Sequence, residues 1–86
     1  MRVLIPSPLR SYTGDAAAVP GDGATLDELT RELDRRYPGM RFRVIDEQGR
    51  IRRHIKFFVN GVQSPDLNAA LEHGDEVMIV CALSGG

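Results

Sequence analysis

The sequence predicts an α+β fold in which one helix packs on one sheet. A single segment, residues 25–37, carries apolar side chains at helical spacing. The segments around it are short, rich in β-branched and aliphatic residues, and bounded by Pro, Gly, Asn and Asp, which is strand punctuation. At 86 residues, 42% hydrophobic and 27% charged, the chain has the length and balance of one small folded domain and leaves no room for a second.

The elements follow in order. Met1 to Ile5 reads as a first strand, ended by Pro6-Ser7-Pro8, whose missing amide donors confine it to a sheet edge or end. Tyr12-Thr13-Gly14-Asp15 is a turn, and the short apolar run Ala16 to Val19 returns as a second strand before Pro20-Gly21-Asp22-Gly23. Thr25 and Glu28 form a capping-box pattern that starts the helix. Leu26, Leu29 and Leu33 share one face, Asp27 can pair with Arg31 and Glu32 with Arg36, and Pro38-Gly39 stops the pattern after Tyr37.

Met40 to Ile45 mixes apolar and basic residues before a turn at Asp46 to Gly49. Ile51 to Val59 is expected to be a strand with Ile55, Phe57 and Val59 on one side, and Asn60-Gly61 should fold Val62-Gln63 back onto it. Leu67 to Leu71 reads as a short helical turn, stopped by His73-Gly74-Asp75. Glu76 to Leu83 is nearly continuous in apolar residues and is expected to be a central strand buried in the sheet. The remaining Ser84-Gly85-Gly86 has no apolar side chain to hold it on the core and is expected to be an exposed, flexible tail.

A formal charge of -1 gives no global attraction to nucleic acid or an anionic membrane. No apolar run approaches the roughly 20 residues that span a bilayer. Cys81 stands alone, which excludes an internal disulfide and fits a reducing, cytoplasmic setting. His54 and His73 have no partner at metal-ligand or acid–base spacing, no Ser or Cys has a recognisable base, and the turn glycines lack the context of a phosphate loop. No catalytic or metal residue is assigned. Cys81 is expected in the core; its other reading is an exposed thiol exchanging with a persulfide or thioester near the tail.

Arg41, Arg43, Arg50, Arg52, Arg53 and Lys56 make a basic stretch, read first as a solvated face, second as a docking patch for an acidic protein surface, and last as a nucleic-acid site using Phe57 and Phe58. Gly85-Gly86 is the sharpest feature: residues without Cβ atoms can thread a narrow channel and present an unhindered carboxylate. A frayed terminus would look the same from composition.

The element order, Phe58-Val59-Asn60-Gly61, Leu71, Gly74-Asp75-Glu76-Val77 and the terminal Gly85-Gly86 resemble the ubiquitin-like sulfur carriers, such as the molybdopterin synthase small subunit and the thiamine sulfur carrier. Ile5-Pro6-Ser7, Leu9-Arg10, Thr13-Gly14, Tyr37-Pro38-Gly39 and Gly49-Arg50-Ile51-Arg52-Arg53 look most like the carriers that serve a cysteine synthase. The family often has proline where Cys81 stands and a tail richer in Val and Ala, a departure at the strand end and tail that partners read.

The resemblance implies a β-grasp domain over residues 1–83, one helix on a mixed sheet, with residues 84–86 as the tail. It implies that a ubiquitin-activating-like enzyme spends ATP to adenylate Gly86. The adenylate becomes a thiocarboxylate that donates sulfur in cysteine, molybdopterin or thiamine biosynthesis. Gly85 and Ser84 would be the tail that enters the partner's channel, and the sulfur acceptor would be a synthase such as a cysteine synthase. The protein would be a cosubstrate with no bound cofactor and no catalytic groups. The alternatives are a modifier conjugated through Gly86 and a β-grasp interaction domain.

Overall fold

The computed structural model describes residues 1–82. Its strands are β1 (Arg2–Leu4), β2 (Ala18–Pro20), β3 (Ile55–Val59), β4 (Val62–Gln63) and β5 (Glu76–Cys81), and its helices are α1 (Leu26–Arg36) and α2 (Met40–Val44). The five strands form one mixed sheet in the order β2-β1-β5-β3-β4. β1 runs parallel to β5, and the other neighbouring strands pair antiparallel.

The predicted hairpin of β1 and β2 is present, with Val3 opposite Val19. Its connection is more than a turn: Ser7–Thr13 forms a 3-10 helix that buries Leu9 and ends at Gly14 in the left-handed region. α1 starts and stops where expected, between Thr25 and Tyr37. The Thr25 hydroxyl accepts from the Glu28 amide at 3.2 Å, and the Glu28 carboxylate reaches back to the amide of Ala24 at 3.1 Å. The Asp27–Arg31 and Glu32–Arg36 pairs form at 2.9 and 3.3 Å.

Leu26, Leu29 and Leu33 are buried against Val3, Ile55, Phe57, Val77 and Ile79, so the helix covers one face of the sheet. Each of these leucines contributes about 1.5–3 kcal/mol by leaving water. The core is extended by α2, whose Met40 and Val44 are buried with Ile45.

Three local expectations change. Met40 to Ile45 forms α2: Gly39 at φ 94 lets the chain reverse, and the Asp34 carboxylate accepts from the amides of Gly39 and Arg41 at 3.1 and 3.0 Å. The strand expected from Ile51 begins only at Ile55, because the Ile55 amide donates to the Arg52 carbonyl and Ile51 bridges to Ile45 instead. Residues 67–71 go no further than a single turn at Leu67 and Asn68, where Ala69 donates to the Asp66 carbonyl. Their carbonyls serve α1, with Leu26 donating to Ala69 and Asp27 to Leu67, which satisfies amides that a helix start leaves without partners.

The Asn60-Gly61 turn is as predicted, with φ 51 and 84. It is also tied to the start of β5. Asn60 donates to the Asp75 carboxylate at 2.9 Å and accepts from the Glu76 amide at 3.0 Å. β5 is central as expected, but only one of its faces is buried: Val77 and Ile79 point into the core, whereas Met78 is 38% exposed on the other side. The helix layer covers a single face, so an apolar run in the middle strand does not bury both.

Candidate functional site

The tail residues singled out from sequence, Ser84, Gly85 and Gly86, lie outside the described residues, as does Leu83. The structure does describe the platform from which they continue. β5 is hydrogen-bonded along both edges, to β1 and β3. Beyond its last residue the Ala82 amide donates to the His54 carbonyl at 2.7 Å, which fixes the direction of the strand end.

Around that end the fold gathers residues that are distant in sequence. His54 and Ile55 arrive from β3, since Ile55 pairs with Cys81 and Lys56 with Val80. α2 contributes Phe42 and Arg43, which line a shallow cleft together with Arg52 and His54. Arg52 donates to the Phe42 carbonyl at 2.7 Å, and its guanidinium lies 4.5 Å from the Phe42 ring centre. Burial pushes the Cys81 thiol above its usual pKa, and the positive charge of Arg43 opposes that shift. Cys81 is half-buried at the rim of the core, where its raised pKa keeps it in the poorly nucleophilic thiol form.

The basic stretch therefore separates into two parts. Arg41 belongs to the framework, bonded to Asp27 at 2.7 Å and to the buried Thr30 hydroxyl at 3.2 Å. Arg50 approaches Asp46 at 3.9 Å. Arg43, Arg53 and Lys56 are exposed and make no ion pair among the described residues. Of the two phenylalanines considered for stacking, Phe57 is a core residue. Phe58 lies on the opposite sheet face.

That face was not anticipated as a surface. The strand register places Leu4, Met78 and Phe58 side by side on β1, β5 and β3, an apolar row on the side away from α1. Its signal in the sequence is the apolar residues on both parities of β5, a pattern shared with strands buried on both faces. His54 and His73 are exposed and not near each other in the cleft linings, and no three His, Cys, Asp or Glu side chains among the described residues converge as metal ligands. Among the described residues no helix is long and apolar enough to cross a membrane.

The ThiS family matches residues 3–86. The sulfur carrier protein CysO of Mycobacterium tuberculosis H37Rv is 34% identical over 89 residues, covering 98% of this chain and 96% of that protein. In the crystal structure of the Amycolatopsis orientalis BexX/CysO complex, a chain superposes with TM-score 0.90 at 33% identity, covering 99% of this chain and 98% of that one. The crystal structure of SAMP1 from Haloferax volcanii superposes with TM-score 0.79 at 28% identity, covering 99% and 97%. A five-stranded mixed sheet with α1 on one face, the full-length match and these neighbours agree: the chain belongs to the ThiS family and is a ubiquitin-like β-grasp protein of the sulfur-carrier kind.

Proposed function

We propose that the chain carries sulfur on the carboxyl of Gly86, handing it from an activating enzyme to a biosynthetic synthase of the cysteine-forming type. The observation that carries this reading is that the ThiS-family match runs through Gly86, so the diglycine lies inside the matched region. The 34% identity to a sulfur carrier protein named CysO favours cysteine biosynthesis over the molybdopterin and thiamine routes.

A carboxylate is a poor electrophile until one oxygen is made a good leaving group. In the proposed sequence a Gly86 carboxylate oxygen attacks the α-phosphorus of ATP on the activating enzyme, and pyrophosphate leaves. Hydrosulfide then attacks the acyl carbon and AMP leaves, giving the thiocarboxylate. The carrier contributes presentation and the reactive terminus; ATP binds the enzyme. A cytoplasmic setting, where thiols stay reduced, belongs to the same reading. Gly85 and Ser84 supply the narrow passage: a β-branched side chain at 85 widens the tail and restricts its backbone.

The test is intact-mass spectrometry after incubation with the cognate activating enzyme, ATP and a sulfide source. The wild type is expected to exchange one terminal oxygen for sulfur, while Gly85→Val and a chain lacking Gly86 do not, with unchanged melting curves. A wild type that never acquires sulfur, or a Gly86-deleted chain that acquires it equally, refutes the proposal. The SAMP1 likeness favours one second reading, conjugation of Gly86 to lysines of other proteins. That reading predicts higher-mass adducts where the carrier reading predicts thiocarboxylate.

A further inference from the structure

We infer that Arg43, Arg53, Lys56 and the Arg52–Phe42 stack form a docking rim for an acidic patch bordering the channel through which a partner enzyme takes the tail. This rests on the proposed role of Gly86. Given that role, only four residues separate Ala82 from the reacting carboxyl, and four extended residues reach at most about 14 Å. A protein that encloses the carboxyl must therefore press its own surface against whatever surrounds Ala82.

What surrounds it is cationic. Ala82 bonds to the His54 carbonyl, Lys56 sits opposite Val80, and Arg43 is close enough to Cys81 to influence its thiol. Arg52, Arg53 and His54 line one continuous surface beside them. The acidic group in that lining, Asp46, is already engaged: it accepts from the amides of Gln48 and Arg50 at 2.9 and 3.0 Å and faces the Arg50 guanidinium. Glu47 is exposed on the same turn.

Acids collect instead at the other end of β5, where Glu72, Asp75 and Glu76 lie. The strand thus runs from an acidic start to a basic end within a chain of net charge -1. With no overall field to steer encounters, this local field is the one that orients approach, and it favours a surface of opposite sign. Arginines that pair with no acid among the described residues suit carboxylates, which accept two parallel N–H bonds.

The same geometry disfavours a single-stranded nucleic acid. Phe42 is the exposed aromatic at the rim, 57% exposed, and one of its faces is taken by Arg52. Stacking platforms for single strands need successive aromatic faces.

The experiment measures association, without ATP, between the carrier and the adenylating enzyme of the same organism that activates ThiS-family proteins. It compares the wild type, Arg43→Glu/Arg53→Glu, and a control of equal charge change, Arg2→Glu/Arg35→Glu. All four sites are exposed, so melting curves should stay close to the wild type. At about 0.1 M salt the rim variant should bind at least about tenfold more weakly than the control. The gap should narrow at about 1 M salt, where screening shortens to about 3 Å.

Equal weakening by both variants, no weakening by the rim variant, or a wild type that does not associate overturns the inference. So does micromolar binding of a single-stranded oligonucleotide that the rim variant loses while its enzyme affinity stays unchanged. The two proposals fail separately. A wild type that associates through the rim but is never adenylated sinks the Gly86 chemistry alone. A rim variant that binds and is adenylated like the wild type sinks the docking rim alone.

Discussion

Leu29 is fully buried at the centre of the helix–sheet contact, and its packing leaves little slack. A Cβ built on Gly21 would lie 2.6 Å from Leu29 Cδ1 and 2.7 Å from Val3 Cγ2, so the chain after β2 passes directly over these side chains. Leu29→Ala should therefore cost about 2–5 kcal/mol, the transfer loss plus a cavity that such close neighbours cannot fill. Denaturant unfolding reads this, and an unchanged midpoint would contradict the packing. At Cys81 the expectation is chemical. With burial raising its pKa, the thiol should react with iodoacetamide at pH 8 more slowly than a free cysteine, and urea should restore the ordinary rate. Native-state alkylation as fast as in urea would show a thiol more open than its position allows.

For the elements, side chains at helix ends supply much of the order. Thr25 satisfies an amide at the start of α1, and neighbouring amides are taken by carbonyls of residues 67 and 69. Thr25→Ala should lower stability by about 1 kcal/mol, because the other donors of the first turn keep their partners. A loss of several kcal/mol would mean that the docked segment detaches with the cap. α2 depends on Asp34 in the same way, through two amide bonds to one carboxylate oxygen. A helix of five residues has no independent stability, so its existence is a tertiary fact.

For the whole molecule the cooperative variable is pH. Asp27 is held below the usual aspartate value of 3.8, first by its hydrogen bond to Arg31 and further by Arg41, with desolvation opposing. Asp46 and Asp75 are lowered too, chiefly by backbone amides of Arg50 and Glu72. A carboxyl with a depressed native pKa stabilises the fold fully above its unfolded value. That stability is lost as pH falls from about 3.8 through the native value. Stability should be flat with respect to these groups near neutrality and fall below about pH 4. Asp27→Asn, which loses the charge joining α1 to α2, should be less stable at pH 7 by about 1 kcal/mol and show a shallower acid decline. An acid decline as steep as in the wild type would remove Asp27 from the account.

The sequence by itself determined what depends on neighbours along the chain. The Thr25–Glu28 cap, the leucine stripe, the stop at Pro38-Gly39, the Asn60-Gly61 hairpin and the β1–β2 return are all local interactions, and each appears where expected. The resemblance also held, because its motifs sit at obligatory points of the fold: Asn60 and Asp75 bind each other and the start of β5.

Tertiary structure alone decided the rest. Residues 40–44 became a helix because Asp34 caps them and the core needed Met40 and Val44. Residues 67–71 stop at a single turn because the carbonyls of Leu67 and Ala69 are taken by the first amides of α1. β5 is exposed on one face because a single helix layer covers only one side of a sheet. The cationic rim exists only when the sheet brings residues 52–56 alongside residues 80–82 and α2 adds Arg43. The sequence shows six basic residues in a row of segments, but which are spent on the framework and which remain at the strand end is settled by long-range pairing, where each partner lies many residues away.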